Sequence, residues 1–154
     1  MKTILLSLAV LLITSAAYSQ SISEDQVPNE IKENFYSNYK AENVKWELES
    51  GVYEAQFTQE GNEVSVHYKS SGEVIAVETH IDPLSLPVTI TEYVTNNYPG
   101  ASIIEAEHIW TTHGNFYGLE LKSDIKSSEL LFSESGKFIG SEDNDDSEDD
   151  DSQY

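Results

Sequence analysis

The sequence predicts an α+β fold. It reads as two tandem repeats of one helix plus a four-stranded antiparallel sheet, with the helices packed on one face. Three observations carry this. Apolar residues recur at helical spacing twice, in VPNEIKENFYSNY (27–39) and in LPVTITEYVTNNYPGA (86–101). After each stretch the apolar period drops to two, and turn signals break the runs. The two halves also lie on one another. Val27-Pro28 matches Leu86-Pro87 and Tyr39 matches Tyr98 at an offset of 59. Tyr53, Phe57, Tyr68 and Gly72 match Tyr117, Leu121, Phe132 and Gly136 at an offset of 64.

The chain opens with MKTILLSLAVLLITSAAYS. Lys2 supplies a positive start, Ile4 to Ile13 an apolar run, and Ala17 and Ser19 the small residues before a cut at Gln20. The run is too short for a bilayer core, which takes ~20 residues, so residues 1–19 are expected to be a cleaved signal peptide. No cysteine follows, which excludes disulfides, thiol catalysis and a lipid anchor on cysteine. The mature protein is expected to be exported, periplasmic or secreted, with no membrane insertion.

The first repeat is placed at 20–82. Its helix carries Pro28 and Glu30 in the first turn and a stripe of Val27, Ile31, Phe35 and Tyr39. Val44, Trp46 and Leu48 then alternate with polar residues, as do Tyr53, Ala55 and Phe57, then Val64, Val66 and Tyr68, then Ile75 and Val77. Ser50-Gly51, Gly61-Asn62 and Ser71-Gly72 separate these runs as hairpin turns. The second repeat is placed at 83–140. Its helical stretch is rich in β-branched residues and fits a strand nearly as well; alignment with the first helix, proline to proline and tyrosine to tyrosine, makes it a helix. Ile104, Ala106 and His108 alternate next, followed by Tyr117, Leu119 and Leu121, by Leu130 and Phe132, and by Phe138. The final stretch, SEDNDDSEDDDSQY (141–154), cannot bury enough surface to fold and is expected to be an acidic, disordered tail.

Each sheet has one face for its helix and one left open. Lys45, Glu47, Glu54, Gln56, Ser65 and His67 belong to the open face in the first half, and Glu105, Glu107, Phe116, Glu120, Lys122 and Glu129 in the second.

The unit VPNEIKENFYSNYKAENVKWELESGVYEAQFTQEGNEVSVHYKSSGEV resembles the PepSY-like repeat of exported Bacteroidetes proteins, also described as beta-lactamase-inhibitor-like. The marks are the Val/Leu-Pro helix head, the helix ending in Tyr, V-x-W, G-x-Y-E-A-x-F and a closing S-G. The second unit is looser: Ala106 stands for Trp46 and NFYGLEL for GVYEAQF. The resemblance spans about residues 24–140. It implies a fold similar to the beta-lactamase inhibitor protein, one curved sheet with both helices on its convex side. It implies inhibition of proteases as the associated activity, and it brings no catalytic residues to transfer.

Charge narrows the partners. All 8 basic residues are lysines, and residues 20–140 hold 7 of them against 20 acids, a net −13. Nucleic acid is not expected as a partner and anionic membrane surfaces are disfavoured, because both call for Lys and Arg. A cationic partner fits. No glycine-rich phosphate loop and no G-x-S-x-G elbow occur. His108 and His113, in HIWTTH, stand near Glu105 and Glu107, but strand geometry turns His108 away from those acids. His80 and Asp82 read as a local contact in the linker. No metal site, cofactor or enzymatic activity is expected.

The function these features point to is a non-enzymatic exported protein-binding module, with an inhibitor of a protease or other secreted enzyme as one form of it. Trp110, His113 and Phe116 at the tip of the longer second hairpin, with Glu54, His67, Glu105 and Glu107 on the open face, are the candidate partner-binding residues. The alternative is an acidic, calcium-buffering exported protein that acts through weak divalent-cation binding at its tail.

Overall fold

The computed structural model describes residues 20–124 and 126–144. The expected leader at 1–19 and the tail from Asp145 onward lie outside the described residues. Strand β1 (Gln20–Ile22) and a 3-10 turn precede helix α1 (Asn29–Asn38). Strands β2 (Lys45–Glu49), β3 (Val52–Gln59), β4 (Asn62–Lys69) and β5 (Val74–His80) follow. A second 3-10 turn and helix α2 (Val88–Asn97) lead to β6 (Ser102–Thr111), β7 (Gly114–Lys122), β8 (Ser127–Ser133) and β9 (Phe138–Asn144).

Local chemistry explains the helices. Pro28 and Pro87 are the N-caps, with φ of −53° and −52°. The ring sets that torsion in advance and removes a donor that would be unpaired there. Ile31 and Phe35 are the buried side chains of α1, and Ile90 and Val94 those of α2. The threonines of α2 bond back to its own carbonyls: Thr91 Oγ1 donates to Val88 O at 3.0 Å and Thr95 Oγ1 to Thr91 O at 2.8 Å. That satisfies the hydroxyls without unwinding the helix, so packing of Ile90 and Val94 overrides a poor local propensity.

The strands form a single sheet of nine, in chain order β1 to β9, antiparallel throughout. The single sheet is what the resemblance implied, but its nine strands correct the expectation of four strands per repeat. β5 pairs with β6 from Ala76↔Thr111 to His80↔Glu107, which leaves no free edge between the halves. The physical reason is the row of backbone donors and acceptors that an unpaired edge would expose. β1 adds a ninth strand by pairing Ile22 with Trp46. Its three residues are too few for a periodic signal. At the other end β9 runs to Asn144, past the expected boundary at 140, because a backbone ladder with β8 needs no apolar side chains.

Two cores lie under the helices. Phe35 of α1 meets Tyr39, Trp46 and Phe57 with ring centroids 5.1–5.3 Å apart, over Ala55, Val64, Val66 and Tyr68. Ile90 and Val94 of α2 pack on Ala106, Leu119, Leu121, Leu130 and Phe132. Across the β2–β3 ladder the large Trp46 faces the small Ala55; across β6–β7 the small Ala106 faces the larger Leu119. The order of large and small is reversed, so in each pair one strand's larger side chain packs against the other's smaller one. Strand register places Trp46, Val66, Val77, Trp110, Ala106 and Leu130 on this one face, so both helices cover the same side. Ile104 departs from the expected alternation. A shift in pairing between Ile103 and Glu105 turns Ile103 to the core and leaves Ile104 54% exposed.

Candidate functional site

The face away from the helices has no element laid over it among the described residues. Register assembles it in rows. One row is Gln56↔Ser65↔Glu78↔Ile109↔Phe116↔Ser133. Another is Glu105↔Glu120↔Glu129↔Glu142, four carboxylates in line across β6 to β9. Like charges placed directly opposite repel in a sheet, and His80 meets this row at Glu105. Ala76, Ile109 and Leu131 are buried on the same face.

Two histidines sit among these acids. His67 of β4 and Glu78 of β5 are both buried, with Nε2 of His67 3.4 Å from Oε2 of Glu78. The alignment does not make a hydrogen bond, since His67 Nε2 has no bonded partner, so the contact acts mainly through charge. Burial works against the imidazolium, but Glu78, with Glu54 and Glu49 behind it, outweighs burial and raises the His67 pKa. Oε1 of Glu78 is buried with no partner.

His80, at the end of β5, places Nε2 2.8 Å from Oε1 of Glu105 and 3.0 Å from Oε1 of Glu107. One ring nitrogen therefore faces two carboxylates. The three ligand atoms lie within 4.8 Å of one another. Burial, then the charges of Glu78, Glu105, Glu54 and Glu63, push the Glu107 carboxyl up to about 8.

The seven candidate residues divide. Glu54, His67, Glu105, Glu107 and Phe116 share the open face, Glu54 directly beside His67 on the ladder and Phe116 beside Ile109. Trp110 is 43% exposed but lies on the helix side, paired with Val77 and Asn115. Trp110 and Phe116 therefore cannot contact a partner as one patch. His113 is an exposed turn residue; its backbone N–H donates to Thr111 Oγ1 at 3.0 Å. His108 faces the helix side and meets the Tyr117 ring at 5.4 Å, away from Glu105 and Glu107 as strand geometry requires. Sequence reasoning assigned His80 to a local contact with Asp82 and passed over Glu78. Asp82 proves to be a cap that accepts from Leu84 N at 2.9 Å, while its neighbour His80 turns to β6. The signal for this was the alternation of Glu78 and His80, legible only once β5 is paired with β6.

The model of the PepSY-like, beta-lactamase-inhibitor-like proteins matches residues 14–76 and 51–140. The chain belongs to this family. Solved structures share the fold. A DUF2874 family protein from Bacteroides ovatus superposes with a TM-score of 0.72 at 18% identity, covering 81% of this chain and 93% of that one. A BLIP-like protein from Bacteroides fragilis gives 0.65 at 20% identity, covering 82% and 92%. A Bacteroides eggerthii protein described as periplasmic gives 0.71 at 12% identity, covering 76% and 88%. Among curated proteins, none matches the sequence. Among the described residues of this PepSY-like chain, no helix is long and apolar enough to cross a membrane.

Proposed function

We propose that this chain is a non-enzymatic, exported protein-binding module whose uncovered sheet face receives a basic segment of a partner protein. The observation that carries the reading is the in-register row Glu105, Glu120, Glu129 and Glu142 beside the half-buried Phe116. A row of acids held in line on a rigid sheet complements a cationic surface. Strands also hold such a surface in place before binding, which lowers the ordering cost. The family's beta-lactamase-inhibitor-like description makes an enzyme the natural class of partner, with inhibition by occupancy as the outcome.

The same reading takes residues 1–19 as a signal peptide removed on export and the halves 20–82 and 83–140 as products of a duplication. After β1, each half runs 3-10 turn, helix, four strands, with a proline N-cap. Gly72 and Gly136 support the match: φ is +83° and +79°, and each lies against the first turn of the helix of its own half, at Glu30 and at Thr89.

Cross-linking capture from periplasm and culture supernatant tests the binding face. The captured species is expected to be retained by Trp110→Ala, lost with Phe116→Ala, and lost with Glu105→Lys/Glu120→Lys. Retention by the charge-reversed protein would remove the acidic face as the site. Titration of a beta-lactamase and of a thermolysin-type protease with the protein tests the inhibitor form, read as residual activity.

A further inference from the structure

The open face holds a cluster that protein binding does not require. His80, Glu105 and Glu107 converge from two strands, with Nε2 of His80 2.8 Å and 3.0 Å from the two carboxylate oxygens. All three side chains are half-buried and reachable from solvent. Two pairs along the β5–β6 ladder, on the same face, stands Glu78, only 7% exposed. One oxygen of Glu78 faces His67, and the other, Oε1, is buried without a partner. We propose that His80, Glu105 and Glu107 bind one divalent transition ion of the Zn2+ class, with Glu78 accepting from water on that ion.

The donor set decides the class. Calcium and magnesium take oxygen ligands, whereas an imidazole nitrogen with two carboxylates suits zinc and its neighbours. Three protein ligands leave a fourth position for water. A tetrahedral ion at ~2.0–2.2 Å from each ligand holds them about 3.3–3.5 Å apart. The present separations of 2.8 and 3.0 Å are about half an ångström tighter, a change that half-buried side chains make by small torsions. Charge points the same way. His80 stands between Glu105 and Glu107, and a cation held there offsets the mutual repulsion of the acids gathered on this face. This proposal is independent of the protein-binding reading, since the ion is held by this chain alone.

Calorimetry on the full chain with ZnCl2, and separately with CaCl2, tests it. One saturable Zn2+ step per chain is expected, above a weak background that both ions share at the acidic tail. The step is expected to vanish in His80→Ala and in Glu107→Gln. Glu78→Gln is expected to keep the stoichiometry and lose affinity about 10–100-fold, as for an outer partner of a metal site. Co2+ in place of Zn2+ supplies a second readout, a visible absorption from nitrogen and oxygen ligation that disappears in His80→Ala. His80→Gln replaces His80→Ala should that variant fail to fold. Absence of a saturable step in the wild type overturns the site, and so does an undiminished step without His80. A Ca2+ step as tight as the Zn2+ step overturns the assignment of class.

Discussion

Glu107 shows how one side chain on the open face can tie stability to pH. Its carboxyl is held at about 8 against an ordinary 4.5. A group raised in the folded state contributes fully below its unfolded value and loses that contribution as pH rises through the folded one. The protein is therefore expected to lose stability from about pH 4.5 to about 8. His67 adds to the trend in the same sense, because its pKa is also raised and its contribution falls away above 6.5. With a chelator present, Glu107→Gln should melt near the wild-type temperature at pH 4.5 and above it at pH 8. Equal melting curves at both pH values would show that Glu107 ionises freely in the fold. The pair that matters here was half legible. Glu105 and Glu107 stand out as open-face acids in the sequence, but their histidine comes from a strand 25 or more residues earlier, and only pairing selects His80 over the nearer His108 and His113.

Helices and turns carry the next level. Gly136 sits at φ +79°, and a side chain there would run into Thr89 Oγ1 of α2. Left-handed backbone alone costs a non-glycine residue about 1–2 kcal/mol. Gly136→Ala should destabilise by at least that amount in urea unfolding, and more than Gly51→Ala, which has nothing within 4 Å. Helix α1 is held by the aromatic cluster, so Phe35→Ala should cost about 3–5 kcal/mol. Helix α2 has its β-branched residues tolerated through packing and back-bonded threonines. An isolated peptide of residues 86–101 should then show little helix by circular dichroism. Strong helicity in that peptide would mean that local propensity, not the sheet, makes α2. Helix α1 was legible from its own i, i+4 stripe, and α2 only through its alignment with α1, proline to proline and tyrosine to tyrosine. The displacement of Ile104 was not, since a bulge depends on how β6 meets β7.

At the scale of the whole molecule the nine strands form one sheet with two cores on one side and an acidic surface on the other. The two candidate aromatics are separated by that sheet, so they make opposite predictions. Phe116→Ala should weaken partner capture, while Trp110→Ala should leave it intact. Removal of residues 145–154 should also leave capture intact, because the acidic row belongs to the sheet. Loss of capture on that truncation would transfer the function to the tail.

Sequence alone determined the helices, eight of the strands, the face of most strand residues and the family resemblance. These follow from the spacing of apolar residues, which local geometry converts directly into helix stripes and strand faces. Tertiary structure decided what lies between distant segments. It joined β5 to β6 into one sheet, added β1, separated Trp110 from Phe116, and brought His80 and Glu78 to Glu105 and Glu107. The physical reason is that backbone pairing across a sheet carries no residue code of its own. Which edges meet is set by the need to satisfy donors and acceptors along the whole ladder, and the cluster on the open face follows from that choice.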